Sequence, residues 1–285
     1  MGSGFILLAA ALALSAQSVG NAQPTLRLPA QQASEQANRK AVTALLRDLK
    51  GDPIGSAVVV AAAAGGHWLA TNRHVVEGHA KVCVVTADQR SRPALWLEQD
   101  RRSNNKSLDL ALLWLPVGND PALVTALMAP EPVLASQLPV VVATGFPTRQ
   151  QGKADGVAGY REASGLLLPL LPQPLEGGFD LAYAAAVEKG MSGGGVFDGD
   201  RLIGINGSHP HPLWPGRWKQ QNGKPISEQL NQQVELVALG LSVAAIQERL
   251  KQASPPAEQA TSKWEGESAC KSQSTTADPT AVKAW

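Results

Sequence analysis

The chain has little charge and almost no charge imbalance, and this excludes several classes of function. Only 17% of its 285 residues are charged, and the 25 basic residues nearly cancel the 24 acidic ones. A net charge of +1 provides no field that would gather nucleic acid or an anionic membrane. Because 44% of the residues are hydrophobic, the chain can still fill one large core or two small ones. We therefore expect a globular protein without a nucleic-acid partner.

The apolar run near the N-terminus, residues 5–16, is too short to cross a bilayer. Small residues follow it at positions 19–22, where a cleavage point would lie. This pattern predicts a secretory signal peptide over residues 1–22 and a periplasmic or extracellular mature protein without stable membrane insertion. No Lys or Arg precedes the apolar run, so an uncleaved anchor is the alternative.

Cysteine is scarce, since only Cys83 and Cys270 are present. An oxidising compartment permits a disulfide between them. Their spacing does not show that they meet, and Cys83, among the valines of residues 81–85, equally fits a strand residue packed in a core. Both interpretations stay open at this point.

Short apolar runs separated by Gly, Pro, Asn and Asp begin at residue 54 and are typical of a β-sandwich or β-barrel. The first predicted strands are residues 56–61, 68–71, 81–86, 94–98 and 110–115. A proline-rich linker at residues 117–132 precedes a second set at 140–144, 165–168, 181–185, 194–197, 202–205 and 236–241. No helical pattern alternates with these strands, which argues against a parallel α/β sheet.

The segment before the strands is predicted to be a linker followed by a helix, together spanning residues 23–53. Residues 23–36 are polar and contain proline, a composition typical of irregular chain. Apolar residues then recur at helical spacing over residues 41–49, up to a Gly-Asp-Pro sequence. The pattern predicts a short packing helix there.

The C-terminal part of the chain departs from the strand pattern twice. Residues 208–233 contain prolines and two tryptophans and are predicted to form a surface loop that ends in a short helix. Ser242 precedes an apolar stripe, which predicts a helix ending near Gln252. Residues 253–285 lack periodicity and are predicted to form a flexible tail.

Residues 189–197, Lys-Gly-Met-Ser-Gly-Gly-Gly-Val-Phe, place one serine among four glycines. Glycine permits the sharp bend that directs two amide N–H groups to one spot. A hydroxyl beside such amides is the minimum for acyl transfer, since it combines a nucleophile with donors for the oxyanion. Taken alone, the stretch fits a tight hairpin better, so Ser192 becomes a candidate nucleophile only if the chain supplies a base and an acid.

His74 is the best candidate for the base. It follows one apolar strand and precedes another apolar run, and rigid elements most often present catalytic side chains at such ends. His67 lies in a predicted hairpin turn and His79 in a predicted loop, so both are interpreted as structural or solvated.

Asp109 is the best candidate for the acid. It is a single charge leading an apolar strand, where an unpaired buried carboxylate would be costly. A histidine N–H would compensate that cost and explain the position. Asp88 and Asp100 lie in polar surroundings and are interpreted as solvated turn residues.

The order His74, Asp109, Ser192 distinguishes two kinds of hydrolase. Residues 190–194 also match the G-x-S-x-G elbow of α/β-hydrolases, but in that fold the acid and the histidine follow the serine. The strand–helix alternation of that fold is also missing. We therefore discount the α/β-hydrolase interpretation.

With these residues in this order, the chain resembles the chymotrypsin-like (trypsin-fold) serine proteases, and among them the bacterial HtrA/Deg group. The motifs that carry the resemblance lie at residues 55–58, 71–76, 109–113, 190–194 and 202–207. The resemblance implies an all-β fold of two six-stranded antiparallel barrels, residues 54–116 and 133–252, with the active site between them. The N-terminal and C-terminal helices flank the barrels.

The resemblance also implies the chemistry. Ser192 would attack a peptide carbonyl, His74 would take its proton and pass it to the leaving amine, and Asp109 would orient His74. The N–H groups of Gly190 and Ser192 would form the oxyanion hole. Neither a cofactor nor a metal is expected.

Three departures from the family pattern limit what can be carried over. Met191 stands where many relatives have Asp or Asn, so it cannot form the ion pair that activates trypsin zymogens. Gly195 replaces the more common Pro or Ala, and we interpret it as leaving the loop freer, which leaves open whether the oxyanion hole is preformed. Residues 253–285 are too few for the PDZ domain of HtrA proteases.

The specificity pocket, by the same resemblance, would involve Ala186, Ile205, Asn206 and Gly207. Residues 184–187 are Ala-Ala-Ala-Val and contain no acid, and an unpaired buried cation is costly. The expected substrates are polypeptides cleaved after small or medium uncharged residues.

Two alternatives to a secreted endopeptidase also fit the sequence. The same fold could serve as a catalytically inactive binding or chaperone-like protein, because triad residues do not prove turnover. His209 and His211, with His67 or His79, could bind a metal, but no third ligand lies near them in sequence. We interpret the segment around His209 as a proline-stiffened loop.

Overall fold

The structure is a computed structural model that describes residues 28–97, 108–116, 123–148, 159–208, 217–256 and 270. The predicted signal peptide of residues 1–22 and most of the predicted tail lie outside these residues. Two closed six-stranded β-barrels dominate the described chain, which confirms the predicted fold class.

The first barrel contains strands β1 (Thr43–Arg47), β2 (Pro53–Ala63), β3 (Gly66–Thr71), β4 (Lys81–Val85), β5 (Ser91–Trp96) and β6 (Ala111–Pro116). They pair in the order β1-β2-β3-β6-β5-β4, and the pairing of β1 with β4 closes the ring. Every pairing is antiparallel. The sequence predicted the last five of these strands and missed β1.

Strand β1 shows that the predicted helix over residues 41–49 is wrong. Helix α1 (Pro29–Val42) lies earlier, in a segment predicted to be irregular, and the chain becomes extended at Thr43. Residues on both faces of β1 are buried, so their apolar spacing also fits a helix. Pairing with β2 and β4 decides for a strand. The first barrel therefore begins at Thr43 and not at residue 54.

The second barrel contains β8 (Val140–Gly145), β9 (Arg161–Leu168), β10 (Leu181–Tyr183), β11 (Gly195–Asp198), β12 (Arg201–Ser208) and β13 (Ala238–Ser242). Their order is β11-β8-β9-β10-β13-β12, closed by the pairing of β11 with β12. A two-residue strand, β7 (Leu127–Met128), adds to β12 in parallel. It lies inside the segment predicted to be only a linker.

Short helices complete the described fold. They are α2 (Arg73–Val76), a 3-10 turn (Ala135–Gln137), α3 (Glu228–Val234) and α4 (Val243–Gln252). Helix α4 confirms the predicted C-terminal helix. Ser242 occupies its N-cap position, yet its hydroxyl donates to the Asp180 carboxylate at 2.6 Å and does not cap the helix. Within the described ranges, no helix combines the length and apolarity needed to cross a membrane.

The two barrels share a hydrophobic core that fixes them against each other. Successive side chains of a strand point to opposite faces, so Leu69 and Leu113 enter a core of the first barrel alone. Their neighbours Trp68 and Trp114, with ring centroids 4.9 Å apart, enter a core that also contains Phe197 of the second barrel. This shared core positions the cleft between the barrels.

A disulfide joins Cys83 of β4 to Cys270, 187 residues further along the chain. Their Cα atoms are 5.5 Å apart, and both residues are fully buried. Both interpretations of Cys83 therefore hold, since it is a buried residue of a core strand and also forms a disulfide. The chain beyond α4 is covalently attached to the first barrel at this point.

Candidate active site

The three predicted catalytic side chains lie in one open cleft of about 640 Å³ lined by residues of both barrels. His74 is on the single turn of α2, directly after β3. Asp109 precedes β6, and Ser192 lies in the turn before β11. Each residue therefore stands at the end of a strand whose pairing fixes its backbone.

His74 and Asp109 are joined by two hydrogen bonds. The Nδ1 of His74 lies 2.7 Å from Oδ2 of Asp109, and the backbone N–H of His74 donates to Oδ1 at 2.9 Å. The imidazole is 48% exposed, whereas the carboxylate is only 15% exposed. A carboxylate accepts from Nδ1–H, so this contact selects the tautomer whose Nε2 is free to accept a proton.

Asp109 is held by groups from both barrels. Its backbone N–H donates to the carbonyl of Gly177, in the loop between β9 and β10, at 2.8 Å. Its own carbonyl accepts from Nδ2 of Asn72, a fully buried residue two positions before His74, at 3.1 Å. The carboxylate position therefore depends on the docking of the two barrels.

The Ser192 hydroxyl lies in the same cleft but donates to the carbonyl of Gly207 at 3.2 Å. Among the described residues, it forms no hydrogen bond with His74. A rotation about the Cα–Cβ bond of Ser192 would redirect the hydroxyl.

The turn that carries Ser192 requires glycine at two positions. Gly190 has φ 98° and Gly193 has φ 83°, both in the left-handed region. A Cβ at Gly193 would also lie 2.2 Å from the carbonyl oxygen of Ser56. No hydrogen bond to the N–H of Gly190 or of Ser192 forms within the described part of the chain, so both donors are unused.

Comparison with known families shows which family of proteins the chain matches. A family model for the trypsin-like peptidase domain matches residues 55–205, more than half of the chain. The chain belongs to the trypsin-like peptidase family. A comparison with curated proteins finds no match.

Solved structures with similar folds include HtrA-type proteases. AlgW with a decapeptide has 19% identity and a TM-score of 0.53, over 78% of this chain and 66% of that chain. AlgW with a tripeptide has 21% identity and a TM-score of 0.52, over 78% and 62%. The inactive form of the Rv3671c protease has 18% identity and a TM-score of 0.52, over 80% and 97%.

At these identities, the likeness establishes the fold alone. The chain spans just under two thirds of the length of both AlgW chains.

Met191 is a core residue of this trypsin-like peptidase. It is fully buried, and its Sδ accepts a hydrogen bond from the backbone N–H of Glu188 at 3.4 Å. Its Cα would lie 2.8 Å from a Cβ at Gly145. An apolar side chain packed into the core thus occupies the position of the acid that many relatives have.

From the sequence we expected Gly195 to leave the nucleophile loop of the peptidase freer, and the structure shows that this is wrong. It belongs to β11, and a Cβ there would lie 2.2 Å from Cε2 of Phe197. Its N–H donates to the Thr144 hydroxyl at 3.1 Å, and its carbonyl accepts from the same hydroxyl at 3.3 Å. The glycine is required by packing.

The four predicted substrate-binding residues are not brought together at the surface. Ile205 and Asn206 are fully buried, so their side chains have no surface for a substrate to contact. Ala186 is exposed but does not line the cleft, whereas Gly207 does. His209 and His211, the alternative metal ligands, lie outside the described residues.

The sequence-based prediction missed much of the cleft wall. Besides Gly207 and the three candidate catalytic residues, the cleft is lined by Glu176, Gly177, Phe179, Lys189, Ser208 and Trp218. Phe179 and Trp218 contact each other edge to face with ring centroids 6.0 Å apart. Trp218, one of two tryptophans in the predicted surface loop, was a weak signal, whereas Phe179 offered no local one.

Proposed function

We propose that this chain is an exported serine endopeptidase that hydrolyses peptide bonds through His74, Asp109 and Ser192. The observation that carries the proposal is the 2.7 Å contact between Nδ1 of His74 and Oδ2 of Asp109, in a cleft that also contains Ser192. Membership of the trypsin-like peptidase family supports the same reaction class. The AlgW structures with a decapeptide and with a tripeptide make polypeptides the substrate class to test.

In the proposed mechanism, Asp109 keeps the proton of the neutral imidazole on Nδ1, so that Nε2 is the base. Ser192 Oγ leaves the Gly207 carbonyl, gives its proton to Nε2 and attacks the substrate carbonyl carbon. The oxyanion is stabilised by the N–H groups of Gly190 and Ser192. His74 then protonates the leaving amine, and a water activated by His74 hydrolyses the acyl-enzyme.

Covalent labelling of Ser192 by a fluorophosphonate probe distinguishes this function from peptide binding without turnover. The Ser192 hydroxyl donates to Gly207 and not to His74, which is the observation that favours the inactive binding or chaperone-like alternative. A fluorophosphonate probe should label the wild-type protein and fail to label Ser192→Ala. If a folded wild-type sample stays unlabelled between pH 6 and pH 9, the binding function is preferred.

The proposed specificity is cleavage after small or medium uncharged residues. The family resemblance assigns residues 184–187 to the specificity pocket, and they contain no acid that could pair with a buried Arg or Lys side chain. Among the described residues that line the cleft, Glu176 is the one acid besides Asp109. A peptide library should therefore yield cleavage after such uncharged residues. Efficient cleavage after Arg or Lys would refute the specificity while leaving the reaction class intact.

The proposed location is the periplasm or the extracellular medium. The disulfide between Cys83 and Cys270 supports it, because such bonds persist in oxidising compartments. N-terminal sequencing of the protein recovered from an expression host should identify a start near residue 23. An N-terminus at Met1 would favour the uncleaved anchor.

A further inference from the structure

The turn around Ser192 is fixed at four successive backbone carbonyl groups. The carbonyl of Lys189 accepts from the Thr148 N–H at 2.8 Å. The carbonyl of Gly190 accepts from the Ser56 hydroxyl at 2.8 Å, and that of Ser192 accepts from the Ser56 N–H at 2.9 Å. The fourth carbonyl, that of Met191, accepts from Nδ2 of Asn206 at 3.1 Å and from the Gly194 N–H at 3.0 Å.

Asn206 is fully buried, and its side chain satisfies three groups. Its Nδ2 donates to the carbonyls of Met191 and Thr144, at 3.1 Å and 2.8 Å. Its Oδ1 accepts from the hydroxyl of Tyr183 at 2.7 Å, which fixes the orientation of the amide. Its backbone carbonyl also accepts from the Gly193 N–H at 2.9 Å. Asn206 thus holds the turn through its side chain and its backbone.

Ser56 holds the turn from the opposite barrel. It lies on β2, is fully buried, and donates its hydroxyl proton to Gly190. The same oxygen accepts from the Phe146 N–H at 2.9 Å, two residues before the Thr148 that binds Lys189. The carbonyl of Ser56 in turn accepts from the Thr71 hydroxyl at 2.7 Å. One side chain therefore connects the turn to the segment that supports it.

These contacts determine where the unused amides point. In a planar trans peptide, the C=O and N–H groups point in opposite directions, and the structure contains no cis peptide bond among the described residues. The N–H of Ser192 shares a peptide unit with the carbonyl held by Asn206. The N–H of Gly190 shares one with the carbonyl held by Thr148. Both N–H groups are thereby directed away from those partners.

We infer that Asn206 and Ser56 are positioning residues that keep the oxyanion hole formed before substrate arrives. This inference rests on the proposed function and extends it, because it names what replaces the activating ion pair that Met191 cannot make. A flip of the Ser192 amide would break the hydrogen bond from Asn206 to the Met191 carbonyl, and a flip of the Gly190 amide would break the one from the Thr148 N–H. The Ser56 hydroxyl acts beside these two peptide units, because it joins the Gly190 carbonyl to the Phe146 N–H in the segment that contains Thr148. The hole therefore needs no new N-terminus and no peptide trigger.

The test compares Asn206→Asp and Ser56→Ala with wild type on one fluorogenic peptide. In Asn206→Asp, the carboxylate has no proton to donate to the carbonyl of Met191. Ser56→Ala loses the hydroxyl that donates to the carbonyl of Gly190. Losing one oxyanion-hole donor typically lowers kcat roughly 10²–10³-fold, so we expect a fall in kcat of at least tenfold in each variant with KM within about twofold. Affinity for a peptide boronic acid, which places an oxygen in the hole, should fall in parallel. Affinity for the corresponding peptide amide should not change.

Matched variants separate positioning from loss of stability. Ser91→Ala removes a buried hydroxyl that has no hydrogen-bond partner in the described chain, and Val84→Ala truncates the core of the first barrel. Both should retain wild-type kcat, even if Val84→Ala lowers Tm. If both test variants keep kcat and boronate affinity within twofold of wild type, the inference is refuted.

A crystal structure of unliganded Asn206→Asp decides the inference independently of turnover. A rotated Met191 carbonyl supports it, and an unchanged turn overturns it. A wild-type protein that neither hydrolyses peptides nor reacts with fluorophosphonate would refute the proposed function instead.

Discussion

Phe179 occupies the space that a side chain at Gly207 would need. A Cβ at position 207 would lie 2.1 Å from Cε1 of Phe179, which is buried and packs against Trp218. Gly207 also accepts the hydrogen bond from Ser192. The shape of the cleft beside the candidate nucleophile therefore depends on a contact between a glycine and an aromatic ring.

Replacing Gly207 by Ala should displace the Phe179 ring. Overpacking of this kind costs about 1–3 kcal/mol, and we expect kcat/KM to fall because the cleft wall moves. Phe179→Leu should make room, so the double variant should be less impaired than the sum of the single variants. Urea unfolding and kcat/KM measure both effects. Strict additivity would contradict the proposed contact.

Replacing Asp109 by Asn should abolish most activity without unfolding the protein. The amide presents an N–H or a weaker acceptor to Nδ1 of His74, so the tautomer with a free Nε2 is no longer favoured. By analogy with the Ser-His-Asp triad, kcat should fall roughly 10⁴-fold. Asp52→Asn, at an exposed turn, is the control and should keep wild-type kcat. Similar activities of the two variants would exclude the role of Asp109.

Removing the disulfide should destabilise the chain substantially. The bond closes a loop of 187 residues, and loss of a native disulfide typically costs about 2–5 kcal/mol. The variant Cys83→Ala/Cys270→Ala should unfold at lower temperature than oxidised wild type. Dithiothreitol should lower the Tm of wild type and leave that of the double variant unchanged. Equal Tm values for oxidised and reduced wild type would contradict the prediction.

Breaking the ion pair between Arg39 of α1 and Glu162 of the second barrel should lower the free energy of unfolding. The Nη2 of Arg39 lies 2.9 Å from Oε2 of Glu162, Nη1 donates to the Gly199 carbonyl at 2.6 Å, and both side chains are largely buried. Arg39→Ala leaves the carboxylate without its cation, which should cost about 3 kcal/mol. Denaturant unfolding measures the loss.

Removing both charges of this pair provides the control. Arg39→Met combined with Glu162→Leu should destabilise less than Arg39→Ala alone, because the buried carboxylate of Glu162 is no longer left without its cation. Both variants equally remove the Arg39 cation that lies 3.7 Å from Glu35. A double variant that is less stable than Arg39→Ala would show that the ion pair itself stabilises the protein.

Asp88 should contribute to acid unfolding. Burial alone would raise the pKa of its carboxyl, but hydrogen bonds from Arg92 and Thr86 outweigh it and lower the pKa from 3.8 to about 2. A depressed pKa in the folded state gives stability that is present above about pH 4 and lost as the pH falls through about 2. Asp88 is an exposed turn residue, as interpreted from the sequence, and it also forms an ion pair with Arg92 that the sequence did not indicate.

The variant Asp88→Asn measures this contribution. Its Tm should be lower than that of wild type at pH 6, and the difference should shrink between pH 4 and pH 2. A difference that stays constant over this range would assign the effect to packing and not to ionisation.

Much of the fold could be predicted because most strands have a local sequence pattern. Strands β2 to β6 and β8 to β13 were located by short apolar runs between turn residues, since a half-buried strand and its turns leave their signature within a few residues. β1 escaped detection because both of its faces are buried. Its spacing was ambiguous until β2 and β4 paired with it.

The sequence by itself determined the order of His74, Asp109 and Ser192 and the glycines that the nucleophile turn requires, because these depend on residue type and immediate neighbours. Only the tertiary structure decided that Cys83 meets Cys270, that Phe179 fills the place beside Gly207, and that Asn206 is buried beneath the turn. Each of these relationships joins residues that are distant in the chain. Such contacts are set by barrel closure and by packing between the barrels, which no local pattern encodes.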